Sequence, residues 1–176
     1  MNFYVIFCVR TIYTYYYEMK FNRKRTRKFL FQKLYALSYS DYNDALFNES
    51  FYEGKFNFDI DTPYLEEMMQ IIVEKEPIFI EILQKYSPKF DAKTMNIVYV
   101  LPIFIGFAEM FFIKEEIPGK VSINEAVETA KVYGDDSAKK IVNGVLNTAL
   151  ENIDEVKTII ETSECKNDFS FFNKIA

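Results

Sequence analysis

The stretch that most restricts the fold of this chain is IVYVLPIFIGFAEMFFI, residues 97–113, in which Glu109 is the one charged residue. A helix this apolar must keep all its faces from water, either inside a protein core or inside a bilayer. The run is just long enough to be considered as a membrane span, but Pro102 and Gly106 interrupt it and Glu109 lies within it. We therefore predict a helix buried on all sides and keep a membrane-associated helical protein as the alternative.

The remaining patterns favour helices over strands. The 176 residues are 49% hydrophobic and include 18 Phe, which is ample for a core, whereas five Gly and five Pro argue against a turn-rich β-sandwich. Apolar residues at helical spacing predict a helix with Pro63 in its first turn, a second short helix from Pro77, and an amphipathic helix over residues 151–163. Residues 38–61 hold at most a short helix, and Asp91 can cap the buried one. The fold class we predict is all-α.

A pair of helices is predicted over residues 117–150. Ser122 and Glu125 form a capping box, S-x-x-E, that would open the first helix, and Gly134 would end it. Asp135 or Asp136 can cap the second. Gly144 lies inside that second helix, which suggests a neighbouring helix packed closely against its backbone.

Positive charge is concentrated near the N-terminus. Five of the six positions from 23 to 28 are Lys or Arg, and residues 1–33 carry a net charge of +7, although the whole chain has a formal charge of −5. Asn22 can cap a helix over residues 23–37, whose Leu30, Leu34 and Leu37 form an apolar stripe. A basic segment on an acidic protein suits a localised polyanion site, while an ordinary solvated helix face is the alternative.

Several classes of function have little support in the sequence. The chain has no histidine, and it shows neither a glycine-rich phosphate loop nor a nucleophile motif, so we do not expect an enzyme. Cys8 and Cys165 lie near opposite ends, without further ligands at metal spacing. They indicate neither a zinc site nor a disulfide framework, and we expect no cofactor and a reducing, cytoplasmic location.

Two segments resemble the NusB family of bacterial transcription antitermination factors. IPGKVSINEAVETAKVYGDDSAKKIVNGVL, residues 117–146, is similar to the family's Pro-x-Lys-Val-x-Ile-Asn-Glu-Ala-Val pattern followed by Val-Asn-Gly-Val-Leu. RKRTRKFLFQKLYAL, residues 23–37, is similar to its arginine-rich first helix. The resemblance covers residues 20–150. It leaves residues 1–19 as an extension of doubtful origin, with Met19 as a plausible native start, and residues 151–176 as a C-terminal helix with a loose tail beyond Cys165.

The resemblance implies two small helical bundles packed together and a role in RNA recognition. Members of the family bind boxA-like single-stranded RNA, usually with the ribosomal protein called NusE, and help the transcription elongation complex read through terminators in ribosomal RNA operons. Two departures bear on this expectation: Ile141 replaces a family phenylalanine, and residues 96–108 lack the charges that would meet the ribosomal protein. A NusB-like protein-interaction module without antitermination therefore remains an alternative.

The resemblance also implies which residues contact RNA. Cations would hold the phosphates and a tyrosine ring would stack under a base. For the tyrosine, a position at the edge of the core is an equally good interpretation. The expected RNA-binding residues are Arg23, Lys24, Arg25, Arg27, Lys28, Tyr35, Lys120, Ser137, Lys139 and Lys140.

Overall fold

In a computed structural model that describes residues 22–39, 42–52, 60–89, 91, 94–163 and 169–172, every regular element is an α-helix. The all-α prediction is therefore confirmed. The extension at residues 1–19, Cys8 and Cys165 lie outside the described residues. The helices are α1 (Arg23–Leu37), α2 (Asp44–Tyr52), α3 (Thr62–Glu74), α4 (Glu76–Tyr86), α5 (Ile97–Phe111), α6 (Gly119–Tyr133), α7 (Asp136–Glu151) and α8 (Ile153–Thr162).

Helix α5 lies at the centre of the molecule. It packs against α1, α3, α4, α6 and α7. All ten residues from Val100 to Glu109 are buried, which confirms the predicted helix hidden on every face. No helix in the described part of the chain combines the length and the apolar character needed to cross a membrane.

Close helix packing occurs at Gly106 rather than at Gly144. A Cβ atom on Gly106 would lie 2.7 Å from Cδ1 of Leu146, so the missing side chain lets α5 and α7 approach. A Cβ atom on Gly144 would meet nothing within 4 Å, and this residue is exposed. The prediction of a helix packed against Gly144 is wrong, because that glycine lies on the opposite face of α7 from the core residues Val142 and Leu146.

Two of the predicted helix caps are confirmed and two are wrong. The side chain of Asn22 accepts a hydrogen bond from Arg25 N, and that of Asp135 accepts from the first turn of α7. Ser122 does not open α6, because the helix begins three residues earlier, at Gly119. Ser122 lies within the helix, and its side chain is buried in the protein. Asn96 caps α5 in place of Asp91, because its side chain is adjacent to the helix and accepts from Val98 N.

The C-terminal segment 169–172 packs against the molecule. Phe172 is 4% exposed, and the ring of Phe171 meets that of Phe104 on α5. The carboxylate of Glu76, at the start of α4, accepts hydrogen bonds from the Ser170 hydroxyl and from Phe171 N. The prediction of a loose tail beyond Cys165 is therefore wrong for these four residues, which Glu76 and the aromatic contacts hold in place.

Candidate nucleic-acid interface

The basic run on α1 divides between two faces of the helix. Arg23 and Arg27 lie on the same stripe as Leu30 and Leu34, at intervals of four, three and four residues, and this stripe faces the core. Lys24 lies on the outer face and is exposed. The inward direction of the two arginines could have been read from that spacing, which extends the apolar stripe toward the N-terminus.

Arg27 is a buried member of an ion-pair network. Its Nε lies 2.7 Å from Oε1 of Glu109 and its Nη1 lies 3.6 Å from Oε2 of Glu125. The hydroxyl of Tyr64 donates to the same Glu109 oxygen. Burial is the largest single effect and lowers the pKa of Arg27, but the charge and hydrogen bond of Glu109, together with Tyr64 and Glu125, outweigh it. The pKa is therefore raised and the guanidinium stays charged.

Because of this network, Arg27 is not among the cations that α1 exposes to solvent. The residue is 6% exposed and its guanidinium is committed to two carboxylates, so a phosphate cannot reach it without opening the contact between α1 and α5. The expectation that Arg27 contacts RNA is corrected accordingly. The physical reason for this correction is the buried carboxylate of Glu109, near the C-terminal end of the apolar helix α5, which requires a cationic partner.

Arg23 is also engaged with protein groups. Its Nε and Nη2 atoms each lie 2.6 Å from a carboxylate oxygen, of Asp61 and of Glu115 respectively. Its Cζ lies 4.3 Å from the centre of the Tyr64 ring. Arg23 is only partly buried, but both sides of its guanidinium already have partners, so we treat it as a structural residue at the edge of the candidate site.

The exposed lysines of α1 lie beside α6. The two helices are held together by the Arg27–Glu125 contact and by the rings of Phe31 and Tyr133, which stack with centroids 4.1 Å apart and an interplanar angle of 12°. Lys131 of α6 lies between these contacts in sequence and was not among the residues expected from the sequence. We use the term basic surface for four of the exposed or partly exposed cations on these two helices: Lys24, Arg25, Lys28 and Lys131.

An aromatic row continues from the basic surface along α1. Phe31 stacks against Tyr133 on one side, and its ring is parallel within 11° to that of Tyr35 at 6.2 Å. Tyr39 comes next in the row. Its ring centroid lies 5.3 Å from that of Tyr35, and its hydroxyl donates a 2.8 Å hydrogen bond to the Tyr35 hydroxyl. Tyr35 is half-buried and Tyr39 is 53% exposed. The aromatic row is thus Tyr133, Phe31, Tyr35 and Tyr39, and it presents tyrosine rings next to the cations.

The remaining expected residues divide between the two ends of α6. Ser137, Lys139 and Lys140 lie within the first five residues of α7, directly after the turn that follows Tyr133, the α6 member of the aromatic row. Lys139 forms a 2.6 Å ion pair with Asp136 of its own helix. Lys120 lies at the other end of α6, about 20 Å from Tyr133 along the helix axis, so the fold does not bring it to this group.

Comparison of this chain with known proteins identifies a matching family and several similar proteins. A family model described as the NusB family matches residues 24–151. The transcription antitermination protein NusB of Carboxydothermus hydrogenoformans is 31% identical over 139 residues, covering 76% of this chain and 96% of that protein. The protein of the same name from Bacillus subtilis is 31% identical over 122 residues, covering 69% of this chain and 92% of its own length. That of Clostridium perfringens strain SM101 is 29% identical over 134 residues, covering 75% and 98%.

Proposed function

This chain belongs to the NusB family of transcription antitermination proteins, and we propose that it binds boxA-like single-stranded RNA together with the ribosomal protein NusE in the transcription elongation complex. Family membership supports antitermination as the general role. The RNA element and the ribosomal partner are our proposal.

The observation that carries the RNA part of the proposal is a single stripe on α1. Lys24, Lys28, Phe31 and Tyr35 follow one another at intervals of four, three and four residues, so they share one helix face over about 17 Å. Single-stranded RNA is held by cations along its phosphates and by aromatic rings under unpaired bases. The stripe offers the cations at one end and the half-buried ring of Tyr35 at the other, while Phe31 between them is buried and supports Tyr35.

The ion-pair geometry assigns different roles to the basic residues in this proposal. Lys24, Arg25, Lys28 and Lys131 are the phosphate contacts, and Tyr35 is the stacking residue. Ser137 and Lys140 adjoin the rings and extend the surface onto α7. Arg23 and Arg27 hold α1 against the rest of the protein through their ion pairs. Lys120 lies outside the proposed contact surface.

The lack of charge in residues 96–108 has a structural reason. Most of this stretch is buried in α5, so charged residues there would have no access to a protein partner. Its composition therefore carries no argument against NusE as a partner, and any contact with NusE would involve other surfaces. A NusB-like interaction module without antitermination is the second candidate function, and the experiment below distinguishes it from RNA binding.

The proposal is tested by fluorescence anisotropy with labelled boxA-like RNA and a scrambled RNA of the same composition, each with and without NusE. We expect tighter binding of the boxA-like RNA and further tightening when NusE is added. Tyr35→Ala should weaken binding by about 1–3 kcal/mol, the contribution of one stacked base. Tyr86→Ala on α4 is the matched control, since that ring lies outside the aromatic row and bonds to Glu155.

Two results would contradict the proposal in different ways. Equal binding of boxA-like and scrambled RNA would reduce the basic surface to an ordinary charged helix face. An absence of RNA binding, combined with a stable complex with NusE, would favour the interaction module.

A further inference from the structure

An acidic side chain lies within the basic surface. Glu128 of α6 accepts a hydrogen bond from the ammonium group of Lys131, one helical turn further on. Both side chains are close to half exposed, at 44% and 47%. An exposed ion pair of this kind adds little to folding stability, because water screens it. Its position, rather than its strength, suggests a role.

Contacts on either side place Glu128 opposite the lysines of α1. Glu125, one turn before it on α6, contacts Arg27, and Tyr133, beyond it, stacks on Phe31. Glu128 therefore lies in the segment of α6 that packs beside α1. The hydrogen bond from Lys131 lowers the pKa of Glu128, and the charges of Lys131, Lys24 and Lys28 lower it further, so all three lysines act on this carboxylate.

We propose that Glu128 is an electrostatic competitor of RNA: its carboxylate pairs with Lys131 on the helix beside the lysines of α1, where an RNA phosphate would otherwise bind. This inference rests on the proposed function. In the free protein the carboxylate partly neutralises the three lysines. A bound strand must lie beside this negative charge or displace it from Lys131.

The competition lowers the affinity for every RNA by a similar factor and leaves the preference between sequences unchanged. Phosphate contacts alone hold any RNA, whatever its sequence, and they are opposed by Glu128. An RNA that also stacks its bases on the aromatic row gains affinity from contacts that Glu128 does not oppose. Glu128 therefore weakens the phosphate contacts that both kinds of RNA share, while leaving the stacking contribution intact.

The test compares wild type with Glu128→Gln in salt titrations of boxA-like and scrambled single-stranded RNA. Glutamine keeps the shape and helix propensity of glutamate and removes its charge. We expect both RNAs to bind about threefold more tightly at low salt. This is the effect of removing the repulsion between one negative charge and a phosphate about 6 Å away in water. The slope of log K against log salt should steepen by up to about 0.7, and the gain should fade near 1 M salt.

Glu161→Gln is the matched control. Glu161 is exposed on α8, which contacts α4 and α7, and its substitution changes the net charge of the protein by the same amount. Equal affinities for Glu128→Gln and wild type would overturn the inference and leave the proposed function standing. An absence of RNA binding by both proteins would overturn the proposed function and the inference with it. A gain of the same size in Glu161→Gln would show a general effect of net charge and overturn the inference alone.

Discussion

The Nε atom of Arg27 lies 2.7 Å from Oε1 of Glu109, in an ion pair that joins helix α1 to the central helix α5. The side chain of Arg27 is 7% exposed and that of Glu109 is 0% exposed. The second oxygen of Glu109 has no hydrogen-bond partner among the described residues, so Arg27 and Tyr64 are the groups that compensate its charge. The pair therefore connects the helix that carries the basic surface to the core.

Breaking this pair from one side should be costly. Arg27→Met leaves the buried carboxylate of Glu109 without its cation, so we expect the free energy of unfolding to fall by about 3–5 kcal/mol. Urea denaturation measures the loss. Lys24→Met, one turn earlier and exposed, is the control and should change stability by less than about 0.5 kcal/mol. Unfolding of Arg27→Met at the wild-type urea concentration would mean that Arg27 is not buried against Glu109.

Removing both charges should cost less than removing one. In the double variant Arg27→Met, Glu109→Gln, no unpaired charge remains in the core, and the glutamine can still accept from Tyr64. We therefore expect the double variant to be more stable than Arg27→Met by about 1–3 kcal/mol. A double-mutant cycle by urea denaturation gives this coupling directly, and strictly additive losses would contradict it.

The outer lysines should control the salt dependence of RNA binding. Lys24→Ala combined with Lys28→Ala removes two proposed phosphate contacts, so the slope of log K against log salt should flatten by about 1.4. The control pair Lys89→Ala, Lys157→Ala lies on other surfaces and removes the same charge; its slope should match wild type. Filter binding at several salt concentrations provides the measurement, and an unchanged slope in the first pair would exclude these lysines from the site.

The two helix glycines should respond in opposite ways to the same substitution. Gly106→Ala introduces a Cβ atom 2.7 Å from the buried side chain of Leu146 and should cost about 1–3 kcal/mol by overpacking. Gly144→Ala adds a methyl group in open space on an exposed helix face and should stabilise the protein by up to about 1 kcal/mol. Thermal melts of the two variants test the packing of α5 against α7. The same shift for both would contradict it.

Glu76 should hold the C-terminal segment in place. Glu76→Ala removes the acceptor for the Ser170 hydroxyl and for Phe171 N, at a cost of about 1–3 kcal/mol in local stability. Hydrogen exchange at the amide of Phe171 should accelerate. Glu74→Ala, exposed two residues earlier, serves as the control. Unchanged exchange in the Glu76 variant would show that the aromatic contacts suffice.

Local features of the fold could be predicted from the sequence. Helix α1 and its cap at Asn22 follow from an amide side chain that reaches an N–H three residues away and from an apolar stripe at helical spacing. The buried helix α5 follows from its near lack of charge. For α1, the determining interactions lie within a few residues of each other. For α5, burial alone decides, and no particular partner has to be known.

Several of the errors concern residues whose partner is distant in sequence. Ser122 has the spacing of a capping box, but α6 gains an extra turn because Gly119 packs against Leu150. The inward face of Arg27 follows from the apolar stripe of α1, but the carboxylate that pairs with it belongs to Glu109, 82 residues later, and could not be located from the sequence. The aromatic row was incompletely predicted for the same reason, since Tyr133 joins it from another helix.

The separation between Arg27 and Glu109 also bears on how the protein is made. Ribosomes add about 5–20 residues per second, so the 82 residues between these partners take about 4–16 s to synthesise. During that interval α1 cannot pair with α5, whereas α6 and α7, adjacent in sequence, can pack as soon as both exist. The helix with most of the basic surface is thus translated early but reaches its final position late, after the centre of the protein has been produced.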